Sequence, residues 1–149
     1  MTPQEERFAD RYDAKVALAM LENDRKQPGL PEYLGMRISA NGPGWCHVDV
    51  EVTEALLNPF GAAHGAVVAS IIDHALGSAV FPLVPLGTWP ATLEFKLNYL
   101  APVRPGLLRA RSEVVSISSR TAVVTVDCSN GDRSVATALG TIALVPART

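Results

Sequence analysis

Cysteine is scarce in this sequence and basic residues are not in excess, and each shortage excludes a class of protein. Cys46 and Cys128 are the only two cysteines, they lack the paired spacing of a zinc or redox site, and both lie in predicted strands. We therefore expect buried core thiols. The formal net charge of −2 and the pI near 5.9 leave no basic surface for a nucleic acid partner.

Long apolar runs are also missing. The longest is interrupted by Asp73 and His74, so it falls short of the roughly 18–20 residues that a membrane span needs. Residues 1–13, "MTPQEERFADRYD", are acidic and polar, unlike a signal peptide, which predicts a cytoplasmic protein with no membrane partner. The Gly-x-Ser-x-Gly elbow of many hydrolases, phosphate-loop glycines and metal-ligand spacings are absent as well.

What the sequence does contain is enough apolar material for one folded domain over residues 1–149, with 48% hydrophobic and 19% charged residues. Thr2, Pro3 and Glu5 form a helix-start signal, a capping box with proline at the first helical position. An apolar stripe at four-residue spacing follows, formed by Phe8, Tyr12, Val16 and Met20. It predicts one amphipathic helix that ends at "QPG", residues 27–29, within an N-terminal helical segment over 1–29.

Alternating apolar and polar residues predict a β-sheet. Residues 34–40 and 45–54 alternate on either side of "NGPG", which indicates a hairpin. Four further strands are predicted at 92–103, 107–117, 121–129 and 134–145. The connections between these four are too short for parallel crossovers, so we expect one antiparallel sheet and an α+β fold.

Between residues 65 and 80 the spacing of the apolar residues becomes that of a helix. One apolar stripe comprises Val68, Ile72, Ala75 and Ala79. A second stripe, of small residues around a carboxylate, comprises Ala66, Ser70, Asp73 and Gly77. We expect the first stripe to pack and the second to leave room beside the carboxylate, and a helix this apolar would have to be wrapped by the sheet.

Asp73 needs an explanation, because a carboxylate buried in an apolar core costs several kcal/mol unless it is paired or used. His64 lies nine residues earlier, half a turn out of phase and roughly 13 Å away along an ideal helix axis. The two side chains therefore cannot readily meet within one chain. Gly65 lies where the helix should begin, so its backbone N–H would point out of the positive end of the helix dipole, where it can polarise a carbonyl oxygen.

These residues carry a family resemblance. The pattern Asn-x-x-Gly-x-x-His-Gly at residues 58–65, with the acid nine residues after the histidine and Ala75 two further on, resembles the hotdog-fold acyl-CoA thioesterases of the phenylacetate-pathway type. The resemblance covers 33–145, since "NYLAPVRPG" at 98–106 is similar to that family's strand with its proline and glycine turn. It implies a sheet wrapped around a central helix, and a homodimer or dimer of dimers whose sites form between two chains.

The resemblance also implies roles for individual residues in the hydrolysis of an acyl-CoA. The Gly65 N–H would bind the thioester oxygen, with Asn58 and His64 ordering the pocket. Asp73 would be the general base or the nucleophile, and Thr92 is the nearest match to a hydroxyl that positions water. No metal and no redox cofactor would be needed.

Two positions depart from the family pattern. Ala66 replaces a second glycine often found after the histidine, and Ser119-Arg120 stands where a glycine and a basic residue are common. Arg120 is the candidate contact for a CoA phosphate, with a solvated charge at a strand end as the alternative.

Rival interpretations stay open at this point. A hotdog hydratase or dehydratase shares the Asn-Pro of residues 58–59 but has its histidine sooner and an aspartate before the asparagine. A non-catalytic acyl-CoA binding module would need the pocket but not Asp73. For single residues, Asp73 would otherwise be a paired structural acid, His64 a helix cap and Asn58 a turn former.

Four aromatic residues fit either an acyl pocket or packing: Phe60, Phe81, Trp89 and Tyr99. Three arginines are expected to be solvated at strand ends: Arg104, Arg109 and Arg120.

Overall fold

The computed structural model describes residues 1–23 and 28–148. Its helices are α1 (Pro3–Phe8), α2 (Ala14–Asn23), α3 (Leu30–Leu34) and α4 (Gly65–Val80). Its strands are β1 (Arg37–Gly42), β2 (Trp45–Val52), β3 (Trp89–Tyr99), β4 (Gly106–Ile117), β5 (Thr121–Asn130) and β6 (Arg133–Val145). Short 3-10 turns cover Ala9–Arg11, Glu54–Leu56 and Phe81–Leu83.

The six strands form one antiparallel sheet in the order β1-β2-β4-β5-β6-β3. The six predicted strands and their antiparallel pairing are confirmed, but residues 34–36 precede β1, with Leu34 in α3, and residues 100–103 lie beyond the end of β3. Strand β3 pairs with β6 rather than with β4, the next strand along the chain. Helix α4 contacts β2, β3, β4, β5 and β6, so the expected arrangement of a sheet around a central helix is also confirmed.

Helix α4 is held by the apolar stripe that the sequence predicts. Val68, Ile72, Ala75 and Ala79 are all buried in the core against the inward side chains of the sheet. By length and composition alone, Gly65–Leu83 could span a membrane, in spite of Asp73 and His74, but 61% of the 18-residue apolar window within it is buried inside the molecule. This segment is therefore the core helix of the fold.

The N-terminal segment is helical, but it is not one helix. The capping box is confirmed, since Thr2 Oγ1 accepts from the Glu5 N–H and the Glu5 carboxylate accepts from the Thr2 N–H. The chain then leaves the helix after Phe8, and Asp13 Oδ1 accepts from the N–H groups of Lys15 and Val16, which begins α2. A second cap inside the stripe therefore divides the predicted helix. The predicted break at "QPG" lies partly outside the described residues, because Gln27 is not among them.

Two smaller predictions concern single side chains. Cys46 and Cys128 are buried, as expected. The prediction for Arg109 is wrong, because it lies within β4 rather than at a strand end and its guanidinium makes two 2.7 Å bonds to the Asp49 carboxylate on β2. The direct pairing of these two residues across β2 and β4 explains the contact.

Candidate active site

The loop before α4 is fixed by Asn58. Its Oδ1 accepts from the N–H of Phe60 at 2.9 Å and from that of Ala62 at 3.3 Å. Gly61 has a φ of +83°, a conformation that residues with a side chain rarely adopt. The N–H of Ala63 bonds to the carbonyl of Val103. The loop thus has a defined shape, and Asn58 acts in it as the turn former that its residue type favours.

The first turn of α4 leaves one amide unpaired. His64 is the N-cap, and its Nδ1 accepts from the Ala66 N–H at 3.1 Å. The Val67 N–H bonds to the His64 carbonyl at 2.9 Å. Among the described residues, the N–H of Gly65 has no hydrogen-bond partner. Since Nδ1 is an acceptor, a neutral His64 carries its proton on Nε2. Two donors are therefore available at this helix end, the Gly65 amide and His64 Nε2.

Tyr99 holds the helix start in place. Its hydroxyl donates to the carbonyl oxygen of Gly65 at 2.8 Å, joining the end of β3 to the first turn of α4. A Cβ added to Gly65 would lie 3.0 Å from this hydroxyl oxygen. The sequence predicts Tyr99 only in an acyl pocket or in packing, and the bond has no local signal because its partners are 34 residues apart.

Asp73 lies in a cleft between α4 and the first half of β3. The second stripe of α4 lines this cleft as predicted, with Ala66, Ser70, Asp73 and Gly77. The cleft has a volume of about 1130 Å³. Asp73 is exposed in the single chain, so the expectation of a buried carboxylate is wrong for one protomer. The physical reason is that its face of α4 is turned away from the packed stripe.

Strand β3 brings Thr92 to the same cleft. Thr92 pairs with Ile142 of β6, and the register shifts before Glu94, which leaves Leu93 as an extra residue. Such bulges re-aim side chains and are frequent beside active sites. Thr92, Leu93 and Glu94 all line the cleft. The bulge itself has no clear mark in the sequence.

The predicted site residues thus fall into two groups within one chain. Asp73 and Thr92 share the cleft, whereas Asn58, His64 and Gly65 lie at the start of α4 and do not line it. The four aromatic residues divide in the same way. Phe81 and Trp89 line the cleft; Phe60 and Tyr99 do not.

Arg120 lies in neither group. It is exposed in the turn between β4 and β5, where its N–H bonds to Ser118 Oγ. Its contact with a CoA phosphate stays a prediction. Arg104, expected to be solvated, is exposed but donates from Nη1 to the Gly61 carbonyl at 3.1 Å, which further holds the loop before α4.

Helices α2 and α3 supply a wall of the cleft that no sequence pattern indicates. Met20 of α2, together with Leu30 and Pro31 of α3, lines the cleft opposite β3. Met20 was predicted only as part of a packing stripe, and nothing local in the sequence indicates which surface that stripe covers. In the described part of the chain, no cluster of three or more histidine, cysteine, aspartate or glutamate side chains could hold a metal ion.

Residues 60–137 match the family model described as the thioesterase superfamily. The chain belongs to this superfamily. It is 33% identical over 95 residues to a 1,4-dihydroxy-2-naphthoyl-CoA hydrolase from Listeria monocytogenes, a match that covers 64% of this chain and 77% of the relative. The enzyme is a thioester hydrolase.

Solved structures of similar proteins agree with this assignment. A phenylacetic acid degradation-related thioesterase from Ralstonia eutropha is 28% identical with a TM-score of 0.79, covering 85% of this chain and 98% of that one. A mutant of the phenylacetic acid degradation protein PaaI from Thermus thermophilus is 28% identical with a TM-score of 0.71, covering 77% of this chain and 97% of that one. The hotdog fold implied by the sequence resemblance is confirmed.

Proposed function

We propose that the enzyme hydrolyses an acyl-CoA thioester to a free acid and CoA, in a site shared by two chains. Two features of helix α4 support the proposal. One end of α4 offers a single unpaired amide, and the middle of α4 places a carboxylate in an apolar cleft. The CoA ester is proposed from the name of the Listeria relative, which is itself a CoA-thioester hydrolase.

The Gly65 amide would polarise the thioester carbonyl. Negative charge develops on that oxygen in the transition state, and a fixed N–H at the positive end of a helix stabilises it. Helix α4 has 16 residues, enough for its dipole to be fully developed. His64 Nε2 supplies a second donor for the same oxygen or for the departing sulfur. Asn58 acts by holding the loop that presents both groups.

Asp73 would act on the other side of the thioester. As general base it takes a proton from water, which attacks the carbonyl carbon; the tetrahedral intermediate then expels the CoA thiolate. As nucleophile its carboxylate attacks the carbon directly, expels the thiolate and leaves an acyl-aspartyl anhydride that water cleaves. Thr92 lines the same cleft and would orient the water in either route.

A second copy of the chain would bring the two groups together. His64 and Asp73 lie on one helix but half a turn out of phase, so the site would combine Asp73 of one protomer with Gly65 and His64 of its partner. Strand β3 ends the described sheet and pairs only with β6 there, which leaves its other edge unpaired. Large apolar side chains along β3 are exposed, among them Trp89, Leu93 and Tyr99. Such an edge suits antiparallel pairing with a second β3.

The direct test is hydrolysis of a panel of CoA esters by the wild-type protein and by Asp73→Asn. We expect the substitution to lower kcat at least about a hundredfold, since a general base or nucleophile contributes that much or more. The matched control is Asp132→Asn, which changes an exposed aspartate in the β5–β6 turn and should keep wild-type turnover. Near-normal turnover by a folded Asp73→Asn protein would contradict the assignment.

Single-turnover hydrolysis in ¹⁸O-water separates the two routes open to Asp73. Label in the peptide that contains Asp73 indicates the anhydride. Label confined to the acid product excludes water attack at an aspartyl carbonyl and is the result expected for a general base.

A further inference from the structure

The cleft beside Asp73 continues toward the C-terminal end of α4. Gly77 and Phe81 follow Asp73 by four and eight residues, so they lie on the same side of the helix, one and two turns further on. Both line the cleft. Two helical turns extend it by roughly 12 Å beyond the carboxylate.

Most of the side chains that line the cleft are apolar. They include Met20 and Leu30 from the N-terminal helices and Trp89 and Pro90 from the start of β3. Among the described residues that line the cleft there is no lysine or arginine. The described lining thus offers no permanently charged cation to a second carboxylate at the far end of an acyl group.

Gly77 is not explained by the packing of the protein. An ideal Cβ at this position would meet no atom within 4 Å, and the residue has ordinary helical φ. By contrast, a Cβ at Gly140 would lie 2.9 Å from the side chains of Leu76 and Phe95. Glycine is also the poorest helix former apart from proline. Within a single chain, the missing side chain at Gly77 therefore serves no contact, and its effect there is to leave the cleft open.

We propose that Gly77 determines substrate specificity by keeping this part of the cleft deep enough for a large apolar acyl group, either an extended alkyl chain or an aromatic ring. The inference rests on the proposed function, because it assigns the acyl end of that substrate to the cleft beyond Asp73. The volume of about 1130 Å³ in the single chain slightly exceeds the usual range of about 300–1,000 Å³ for small-molecule sites and leaves space for such a group.

The test compares wild type, Gly77→Ala and Gly77→Leu on acetyl-, octanoyl- and phenylacetyl-CoA. Wild type should prefer the two larger esters. We expect Gly77→Leu to lower the ratio of kcat/KM for octanoyl-CoA to that for acetyl-CoA by at least about tenfold, because one displaced methylene is already worth that much in a fitted pocket. Gly77→Ala should lower the ratio less. Ala19→Leu, on an exposed position of α2 outside the cleft, adds a leucine elsewhere and should leave the ratio unchanged.

Binding of the non-hydrolysable thioethers S-octyl-CoA and S-ethyl-CoA, measured by calorimetry, gives a readout that needs no turnover. Loss of S-octyl-CoA binding in Gly77→Leu supports the inference even if wild type hydrolyses no ester, in which case only the catalytic proposal fails. A ratio and a binding preference within about twofold of wild type in Gly77→Leu would overturn the inference. If Gly77→Leu does not fold, two results together overturn the inference. Gly77→Ala would keep the wild-type ratio of kcat/KM values, and the wild-type enzyme would show equal kcat/KM for the three esters.

Discussion

The hydroxyl of Tyr99 donates a 2.8 Å hydrogen bond to the carbonyl oxygen of Gly65. This bond ties the last residue of β3 to the first residue of α4. The Gly65 peptide is thereby held from two directions, since the next amide, that of Ala66, bonds to His64 Nδ1. The unpaired Gly65 N–H belongs to the preceding peptide, whose His64 carbonyl accepts from the Val67 N–H at 2.9 Å, so Tyr99 acts on its direction through the Gly65 backbone.

Replacing Tyr99 by phenylalanine tests whether this bond positions the Gly65 amide. We expect kcat to fall about tenfold with little change in KM, because a misaligned donor weakens transition-state stabilisation more than substrate binding. Loss of one hydrogen bond should lower the free energy of unfolding by only about 1 kcal/mol. Steady-state kinetics and urea unfolding measure the two effects.

The matched control is Tyr33→Phe, which removes a hydroxyl from a side chain that is 83% exposed. It should change neither quantity. An unchanged kcat in a folded Tyr99→Phe protein would show that the bond is structural only.

Acid should destabilise the protein partly through His47. Burial lowers the pKa of His47 first, and the guanidinium groups of Arg109 and Arg111 lower it further, while Asp49 opposes them. The unfolded chain then binds a proton at His47 more readily than the folded chain does. Stability from this group is fully present above the unfolded pKa, near 6.5, and falls as the pH drops through that value toward the lowered folded pKa.

Urea unfolding at about pH 7.5 and about pH 5.5 should show a smaller acid-induced loss in His47→Gln than in wild type, because glutamine takes up no proton in this range. The wild-type protein at both pH values is the reference. Equal losses in the two proteins would mean that His47 does not contribute.

Neither thiol should react in the native protein. Cys46 and Cys128 are buried, and burial, with a smaller effect of Asp127, raises the pKa of Cys128 to about 12. At pH 8 only about one part in ten thousand of such a thiol is the reactive thiolate. A dithionitrobenzoate assay should therefore detect no thiol before denaturation and two afterwards, so that the reagent reports only released CoA during turnover. Rapid native labelling would contradict the burial of these residues.

The sequence was sufficient for the parts of the fold that depend on local patterns. The strands were predictable because buried and exposed residues alternate along them, and the two stripes of α4 because helical spacing separates Val68 from Ser70 and Asp73. The division of the N-terminal helix was missed because the cap at Asp13 lies inside an uninterrupted apolar stripe.

The site was predictable as a set of residue types rather than as an arrangement. The motif from Asn58 to Asp73 is contiguous, so the resemblance could be recognised from it. The Tyr99 bond, the bulge at Leu93 and the wall from Met20 all depend on which distant elements meet, and no local signal encodes that. The exposure of Asp73 could not be foreseen either, because apolar neighbours in sequence suggested burial.

We expect each active site to contain Asp73 of one chain and His64 of another. This expectation is tested by unfolding Asp73→Asn and His64→Ala proteins, mixing them in equal amounts and refolding them, with each protein refolded alone as the control. Random pairing makes about half of the dimers mixed, and each mixed dimer holds one site with both native residues and one with neither.

With both parents nearly inactive, the shared site predicts that the mixture recovers about a quarter of wild-type activity. If both residues served a site within one chain, no mixed dimer could contain an intact site. Activity no higher than that of the two parents, with mixed dimers demonstrated by native mass spectrometry, would contradict the account.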